Sequence, residues 1–407
     1  MYQISQSDLE KLFYKNIQFL DQKKILLRTC LNVPTNEKAE MLDDSRFIES
    51  YPLIKELALG AKMLLITAHL GRPKNQETRF SFEKIVGSLQ EKFDQDGVHK
   101  KVVFLTSISE VNEKVLHSDV DCVYFLQNIR FFKEEESDNL TERAEFAKKL
   151  AMWFDCFVND AFADYRESAS TFDVARFLPS FLGPVFFREV HSLKNFSQAT
   201  KPFVAVLWGA KLSEKIDILK ALAEKADAIL VWWAMAYTLL EANWIEIWKS
   251  LVEEDKLQVA KEILQKYGDK IILPIDHMTV TEFKDPGEKL FVCNHQTIPS
   301  DQIAVDIWWD TVKIFDEVLQ SAHSILVNWP LWVYEWESTM AGTQKILASV
   351  LKNKNAYKMI GGGDSISVLQ KAGFLWFDHI STGGWAMLSF LAYDTFPALD
   401  IILQSHR

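Results

Sequence analysis

The sequence predicts an α/β protein built as two doubly wound parallel-sheet (Rossmann-like) domains separated by a cleft and hinge. Three observations carry that expectation. Short apolar runs alternate with amphipathic stretches along the chain, as strands and helices do when they take turns. The alternation stops near the middle and then restarts. The length, 407 residues, exceeds what one ordinary core holds.

In chain order, the expected strands of the first half are KILLRTC (24–30), KMLLITAHL (62–70), KVVFLT (101–106), DCVYFL (121–126) and CFVNDA (156–161). Between them lie the helical patterns RFIESYPLIKELAL (46–59), with Gly60 in the helix-ending position, and LTERAEFAKKLAMWF (140–154). The stretch LPSFLGPVFFREVHSLKNF (178–196), with two prolines and a glycine, reads as the join. Strands then resume at PFVAVL (202–207), AILV (228–231), KIILPID (270–276), SILVN (324–328), YKMIGG (357–362) and HIST (379–382). Strands alternating with helices imply parallel sheets covered on both faces. The chain carries no short-period repeat and no low-complexity segment.

Composition narrows the function classes. Hydrophobic residues make up 48% and charged residues 25%, as in a soluble globular protein. A net charge of −11 argues against general nucleic-acid binding while permitting a locally basic cleft. Cys30, Cys122, Cys156 and Cys293 are scattered, with neither CxxC nor metal-ligand spacing, and read as reduced thiols. The start, MYQISQSDLEKLFYKN, lacks an apolar signal core, and AILVWWAMAYTLL (228–240) is shorter than the ~18 residues of a membrane span. These features predict a cytoplasmic protein without a membrane or nucleic-acid partner.

In open parallel sheets ligands gather where strands end, so the residues after each strand matter most. In the first half these include His69-Leu70-Gly71-Arg72-Pro73, Asn128-Ile129-Arg130 and Asp160 to Arg166, with Arg46 near the start of the first helix. Each cation alone reads as a solvated loop charge. Four arginines and a histidine at one edge instead make an anion pocket, since guanidinium forks bind phosphate or carboxylate oxygens in pairs. In the second half Gly361-Gly362-Gly363-Asp364-Ser365 and Ser381-Thr382-Gly383-Gly384 each follow a strand and open a helix. Such turns let backbone N–H groups approach a phosphate. Asp364 could cap the helix or hold Mg²⁺ near a nucleotide. Lys211 and Lys215, four apart at a strand-to-helix junction, can face one side together. No GxxxxGK[ST] is present, which excludes a P-loop.

Ordered motifs then run the length of the chain: LNVP (31–34), LDDSRF (42–47), AHLGRP (68–73), QNIRF (127–131) and VNDAF (158–162). After them come GAKLSEKI (209–216), MAYT (235–238), GTQK (342–345), GGGDS (361–365) and HISTGG (379–384). In this set the chain resembles the phosphoglycerate kinase family from end to end. The resemblance implies a triose-phosphate domain over residues 1–182, a nucleotide domain over 183–389, and a segment, 390–407, returning to the first. It implies reversible phosphoryl transfer from 1,3-bisphosphoglycerate to Mg-ADP, giving 3-phosphoglycerate and ATP, in a monomer with small-molecule substrates only. Carried over by motif, Asn32, Arg46, His69, Arg72, Arg130 and Arg166 would hold the triose, with Arg46 also reaching the transferred group. Lys211 and Lys215 would neutralise that group and the nucleotide phosphates. Asn328, Glu335, Gly361, Gly362, Gly363, Asp364, Ser365, Gly383 and Gly384 would line the nucleotide, Asp364 serving Mg²⁺. No general base is needed, because the acyl-phosphate oxygen leaves as a carboxylate.

Three departures stand out. Cys30 replaces an aspartate that usually helps hold the triose, and a thiol is a poorer acceptor than a carboxylate. Tyr165 and Glu167 flank Arg166 where a histidine-rich pattern is common. Most conspicuously, Trp208, Trp232, Trp233, Trp244, Trp248, Trp308, Trp329, Trp332 and Trp385 stand where the family writes glycine, nine of thirteen tryptophans. Glycine serves there for positive φ and for backbone approach to phosphate, neither of which an indole permits. The economical cause is a UGA codon, read as glycine in some bacterial lineages and as tryptophan in a common alternative table. The alternatives are deliberate substitution, or a Trp-rich, catalytically impaired relative acting as a binding or structural protein.

Overall fold

The computed structural model describes residues 4–111, 121–198, 200–209, 211–284, 287, 289–328, 339, 341–362 and 376–406. The chain divides into two compact units, Met1–His191 with Thr395–Arg407, and Ser192–Asp394.

In the first unit β1 (Lys24–Arg28), β2 (Met63–Thr67), β3 (Lys101–Leu105), β4 (Cys122–Leu126), β5 (Cys156–Asn159) and β6 (Ser180–Leu182) form one sheet. Its order is β3-β4-β2-β1-β5-β6 and every pair is parallel. All of β2 and all but the first residue of β1 are buried. Hence their sequences are continuous apolar runs rather than alternating ones. The helix Ser45–Gly60 turns Phe47, Tyr51, Ile54 and Ala58 inward, a three-to-four-residue spacing that marks one helical face. Gly60 is its last residue rather than a position beyond it, and Ala61 caps the end. The helix Leu140–Ala151 begins at Asn139, whose side chain accepts from the amides of Thr141 and Glu142.

The helix Pro184–Ser197 follows β6. Its first turn rests on Asp160, whose Oδ1 accepts from the amides of Val185 (2.8 Å) and Phe186 (3.2 Å). The helix Pro397–Ser405 packs in this unit too, with Phe396 5.8 Å from Phe162 and 5.7 Å from Phe186, ring to ring. His406 adds a 2.6 Å hydrogen bond from Nε2 to the Ser180 carbonyl.

In the second unit β7 (Phe203–Trp208), β8 (Ala228–Trp232), β9 (Ile271–Ile272), β13 (Ser324–Asn328), β14 (Tyr357–Gly361) and β15 (His379–Ser381) form a second parallel sheet. Its order is β15-β14-β13-β7-β8-β9. The expected strand 270–276 shortens to β9 because Pro274 has no amide to give a ladder. The next amides, of Ile275 and Asp276, turn to Thr311 Oγ1 instead. A three-stranded antiparallel sheet without a counterpart in the sequence analysis also appears. It consists of β10 (His277–Val280), β11 (Phe291–Cys293) and β12 (Ile303–Ile307), with β10 in the middle. Among the described residues no single helix is long and apolar enough to cross a membrane.

Candidate active site at the strand ends

In the first unit three of the loops that follow strands are tied together by hydrogen bonds. After β1, Asn32 Oδ1 accepts from the amide of Gly71 (2.8 Å). After β4, Arg130 Nη1 donates to the Gly71 carbonyl (2.8 Å) while its Nε donates to Glu136 (2.7 Å). Gly71 itself sits at φ +62, and a Cβ there would lie 2.3 Å from the Phe80 ring, so only glycine fits between these partners. Asn128 fixes the same loop, giving its amide to the Leu70 carbonyl (2.8 Å) and accepting from the Leu70 N–H (3.2 Å).

Beside this frame lies a buried ionic set. Asp164 Oδ2 is 2.9 Å from Arg28 Nη2 and 2.9 Å from His69 Nδ1. Arg28 is 2% exposed and His69 3%. Arg28 also donates to Ser170 Oγ (2.9 Å), and Ser170 Oγ passes the contact on to Glu135 Oε1 (2.6 Å). Burial pushes the Asp164 carboxyl up, but His69 and Arg28 outweigh it and hold the group well below the usual carboxylate range. Burial pulls His69 down, with Asp164 opposing. Glu135 is raised to about 7 by burial, against the pull of Arg28 and its serine donors.

Arg46 is half-buried and reaches Cys30 Sγ at 3.4 Å, which places the thiol among cations where the resemblance expects a carboxylate. Burial pushes that thiol's pKa up, with Arg46 opposing. Asn32, Arg46, His69 and Arg130 are thus linked to one edge through Cys30, Asp164 and Gly71. Arg72 and Arg166 are exposed on the loops after β2 and β5, and the Arg166 guanidinium lies 6.0 Å from the Tyr165 ring. Neither forms an ion pair among the described residues. Sequence reasoning missed Arg28, Asp164, Glu135 and Ser170. The available signal was Arg28, a charge closing the apolar run Ile25–Leu27 of β1.

In the second unit Lys215 is the most constrained cation, 4% exposed at the start of the helix Ile216–Lys225. Its Nζ donates to the Trp208 carbonyl and to Asn328 Oδ1 (2.6 Å), joining the ends of β7 and β13. Burial lowers it to about 8, with Glu214 opposing. Lys211, four residues earlier, is exposed. The turns after β14 and β15 meet closely: a Cβ on Gly384 would lie 2.8 Å from Gly362 Cα, and one on Gly361 2.5 Å from Met387 Sδ. Gly383 caps the helix Gly384–Tyr393, its carbonyl accepting from Met387 (2.8 Å). Glu335, Gly363, Asp364 and Ser365 lie outside the described residues, as do Trp329 and Trp332.

The tryptophans split into two kinds. Trp233 (φ 65, ψ −155), Trp244 (φ 64) and Trp248 (φ 46) lie in left-handed backbone. Trp233 occupies a region that is essentially glycine's alone. Trp208, Trp232, Trp308 and Trp385 do not lie there, so the expectation of positive φ fails at those four. Trp208 and Trp232 end the paired strands β7 and β8, their rings 4.8 Å apart in the core. Among the described residues the buried Trp232 indole N–H has no acceptor. Trp385 lies 5.9 Å from Lys215 Nζ, close enough for the ammonium to feel the ring face.

Cations and close-packed glycine turns at the carboxyl ends of parallel sheets are the marks of an α/β protein that handles phosphorylated ligands. Comparison with known proteins makes the class specific. The family model described as phosphoglycerate kinase matches residues 15–393. The phosphoglycerate kinase of Koribacter versatilis is 36% identical over 406 residues, covering 97% of this chain and 99% of that protein. That of Corynebacterium aurimucosum is 35% identical over 392 residues, covering 93% and 96%. The solved phosphoglycerate kinase of Coxiella burnetii superposes with a TM-score of 0.82 at 30% identity, over 97% of this chain and all of that one. The chain belongs to the phosphoglycerate kinase family. It is an enzyme of glycolysis, a phosphotransferase that moves a phosphoryl group reversibly between 1,3-bisphosphoglycerate and ADP.

Proposed function

We propose that the first unit binds the triose through Asn32, Arg46, His69, Arg72, Arg130 and Arg166, and the second binds nucleotide beside Lys211, Lys215 and Asn328. Arg46, Lys211 and Lys215 then act on the group in flight. Phosphoryl transfer asks little covalent chemistry of a protein, so fixed cations and donors supply most of the catalysis. The observation that carries this reading is the Lys215 Nζ contact with Asn328 Oδ1 (2.6 Å), which holds a buried cation where two central strands end. Gly361, Gly362, Gly363, Ser365, Gly383 and Gly384 would present backbone to the nucleotide, and Glu335 would take the ribose. Among the described residues no three His, Cys, Asp or Glu side chains cluster as a metal site. Mg²⁺ carried on nucleotide phosphates needs only one or two carboxylates, a role we assign to Asp364. The protein works as a cytoplasmic monomer in this reading.

We further infer that the nine family-glycine positions carry glycine in the cell. Three support it by backbone alone, Trp233, Trp244 and Trp248. Trp232 supports it by its unpaired buried indole N–H, a defect of about 1–3 kcal/mol. Peptide mass spectrometry of the native protein reads these positions directly. A coupled kinase assay then compares the glycine form, expected to be active, with the tryptophan form, expected to bind nucleotide poorly. Calorimetry tests the triose pocket: Arg72→Ala and Arg166→Ala should weaken 3-phosphoglycerate binding and leave ADP binding intact. Undiminished triose affinity in both variants rejects the assignment.

A further inference from the structure

Position 30 offers the triose pocket a thiol, yet the pocket is not without a carboxylate. Asp164, in the loop after β5, brings one, and it touches the only histidine of the candidate set. We infer that Asp164 is a positioning residue for triose binding, its carboxylate fixing His69 through Nδ1 so that Nε2 is presented to the substrate. The inference rests on the placement of His69 in the triose pocket proposed above.

The geometry supports a donor at Nδ1. Asp164 Oδ2 stands 2.9 Å away, and Arg28 Nη2 stands 3.2 Å away. An N–H pointing at the carboxylate satisfies both charges, because Arg28 Nη2 also donates to the same Oδ2 at 2.9 Å. Remove the carboxylate and the preference inverts. Arg28 then faces a bare ring nitrogen, donates into it, and the ring proton moves to Nε2. Asp164 therefore decides which nitrogen is open. Nε2 has no hydrogen-bond partner among the described residues. A carboxylate at Nδ1 makes Nε2 more basic, which favours its taking a proton beside an arriving phosphate or carboxylate. The charged groups that face the ring are Asp164, Arg28 and Arg130, with Cys30 and Arg46 adjoining Asp164 and Arg28. Asp164 is the carboxylate that touches the ring, while Glu135 reaches Arg28 through Ser170 Oγ. Cys30 feels the Asp164 charge as well, so the carboxylate serves the neighbourhood that position 30 leaves without one.

The experiment uses the full chain with glycine at the nine positions. Asp164→Ala should raise KM for 3-phosphoglycerate on the order of tenfold, the effect of one charge-assisted hydrogen bond. KM for ATP should stay near the parent's, the melting temperature should fall because Arg28 loses its buried partner, and Asp164→Glu should recover most of both losses. Nitrogen-15 NMR should place the His69 proton on Nδ1 in the parent and on Nε2 in Asp164→Ala. An Nε2-protonated His69 in the parent overturns the inference. So does an unchanged triose KM in Asp164→Ala while His69→Gln raises it, a result that leaves the pocket itself standing. Unchanged triose KM in His69→Gln, Arg72→Ala and Arg166→Ala together rejects the pocket instead. A Glu variant no better than Ala, with both melting low, reduces Asp164 to a folding role and also overturns the inference.

Discussion

Replacing Trp244 and Trp248 with glycine and, separately, with alanine isolates what the backbone asks for. Both residues hold left-handed φ, 64 and 46. Both are largely exposed, 84% and 55%, so removing either indole forfeits little burial. The Lys261 ammonium 5.7 Å from the Trp244 ring is lost equally in the Gly and Ala variants and cancels in the comparison. What remains is the Cβ. A left-handed L-residue costs about 1–2 kcal/mol, whereas glycine gives back about 0.4–1 kcal/mol through its freer unfolded chain. Glycine should therefore exceed alanine by roughly 0.5–1 kcal/mol at each site, or about 1–2 kcal/mol for the pair. For a domain of roughly 150–250 residues each kcal/mol moves the melting point by about 2–4 °C. Trp385 is the control, because it lies inside the helix Gly384–Tyr393 and has no positive φ. There alanine should beat glycine by about 0.5–1 kcal/mol. Calorimetric melts of the parent and of eight variants (Gly and Ala at Trp244, at Trp248, at the pair and at the control) read the sign. The reasoning fails if alanine is the better residue at both places, since the left-handed turns would then hold no preference for glycine.

Three further outcomes follow from contacts already described. Gly384→Ala sets a Cβ 2.8 Å from backbone at Gly362 and should cost about 1–3 kcal/mol in urea melts; Gly361→Ala meets the flexible Met387 thioether and should cost less. Lys215 is lowered to about 8 from 10.5, so kcat/KM for nucleotide should fall as pH rises past about 8, and Lys215→Arg should keep its plateau to higher pH. The same depression makes its contribution to stability full above about 10.5 and lost as pH falls through about 8. Asp160 is raised to about 7 by burial, with Oδ2 unpaired among the described residues, so the native state binds its proton more tightly than the unfolded chain does. Its contribution is therefore full below about 3.8 and lost as pH rises through about 7. Asp160→Asn keeps an acceptor for Val185 and Phe186 and should flatten the melting profile over that window.

Strand periodicity made the two parallel sheets readable, since runs such as MLLIT and SILVN are buried throughout and cannot be anything but central. The antiparallel sheet escaped because FVC has two exposed residues in three and HMTV alternates polar with apolar residues, so neither presents an apolar run. Lys215 and Asn328, named from motifs, meet by a hydrogen bond across 113 positions that no local pattern could announce. Asp164 was invisible for a related reason. A carboxylate in a loop has no period, and its partners Arg28 and His69 lie 136 and 95 residues away, the latter being 164 − 69. The positive φ of Trp233, by contrast, is a turn property that the resemblance to glycine-bearing loops already implied.

The helix Pro397–Ser405 has a consequence for synthesis. A ribosome releases β1 to β6 early, but the surface that receives Phe396 and His406 stays bare until those residues have emerged. The second unit is continuous from Ser192 to Asp394 and has all its parts before the first does. Nascent chains therefore carry an apolar seam around Phe162 and Phe186 from the synthesis of Phe186 until that of Phe396. In the order of synthesis, the half that begins first is finished last.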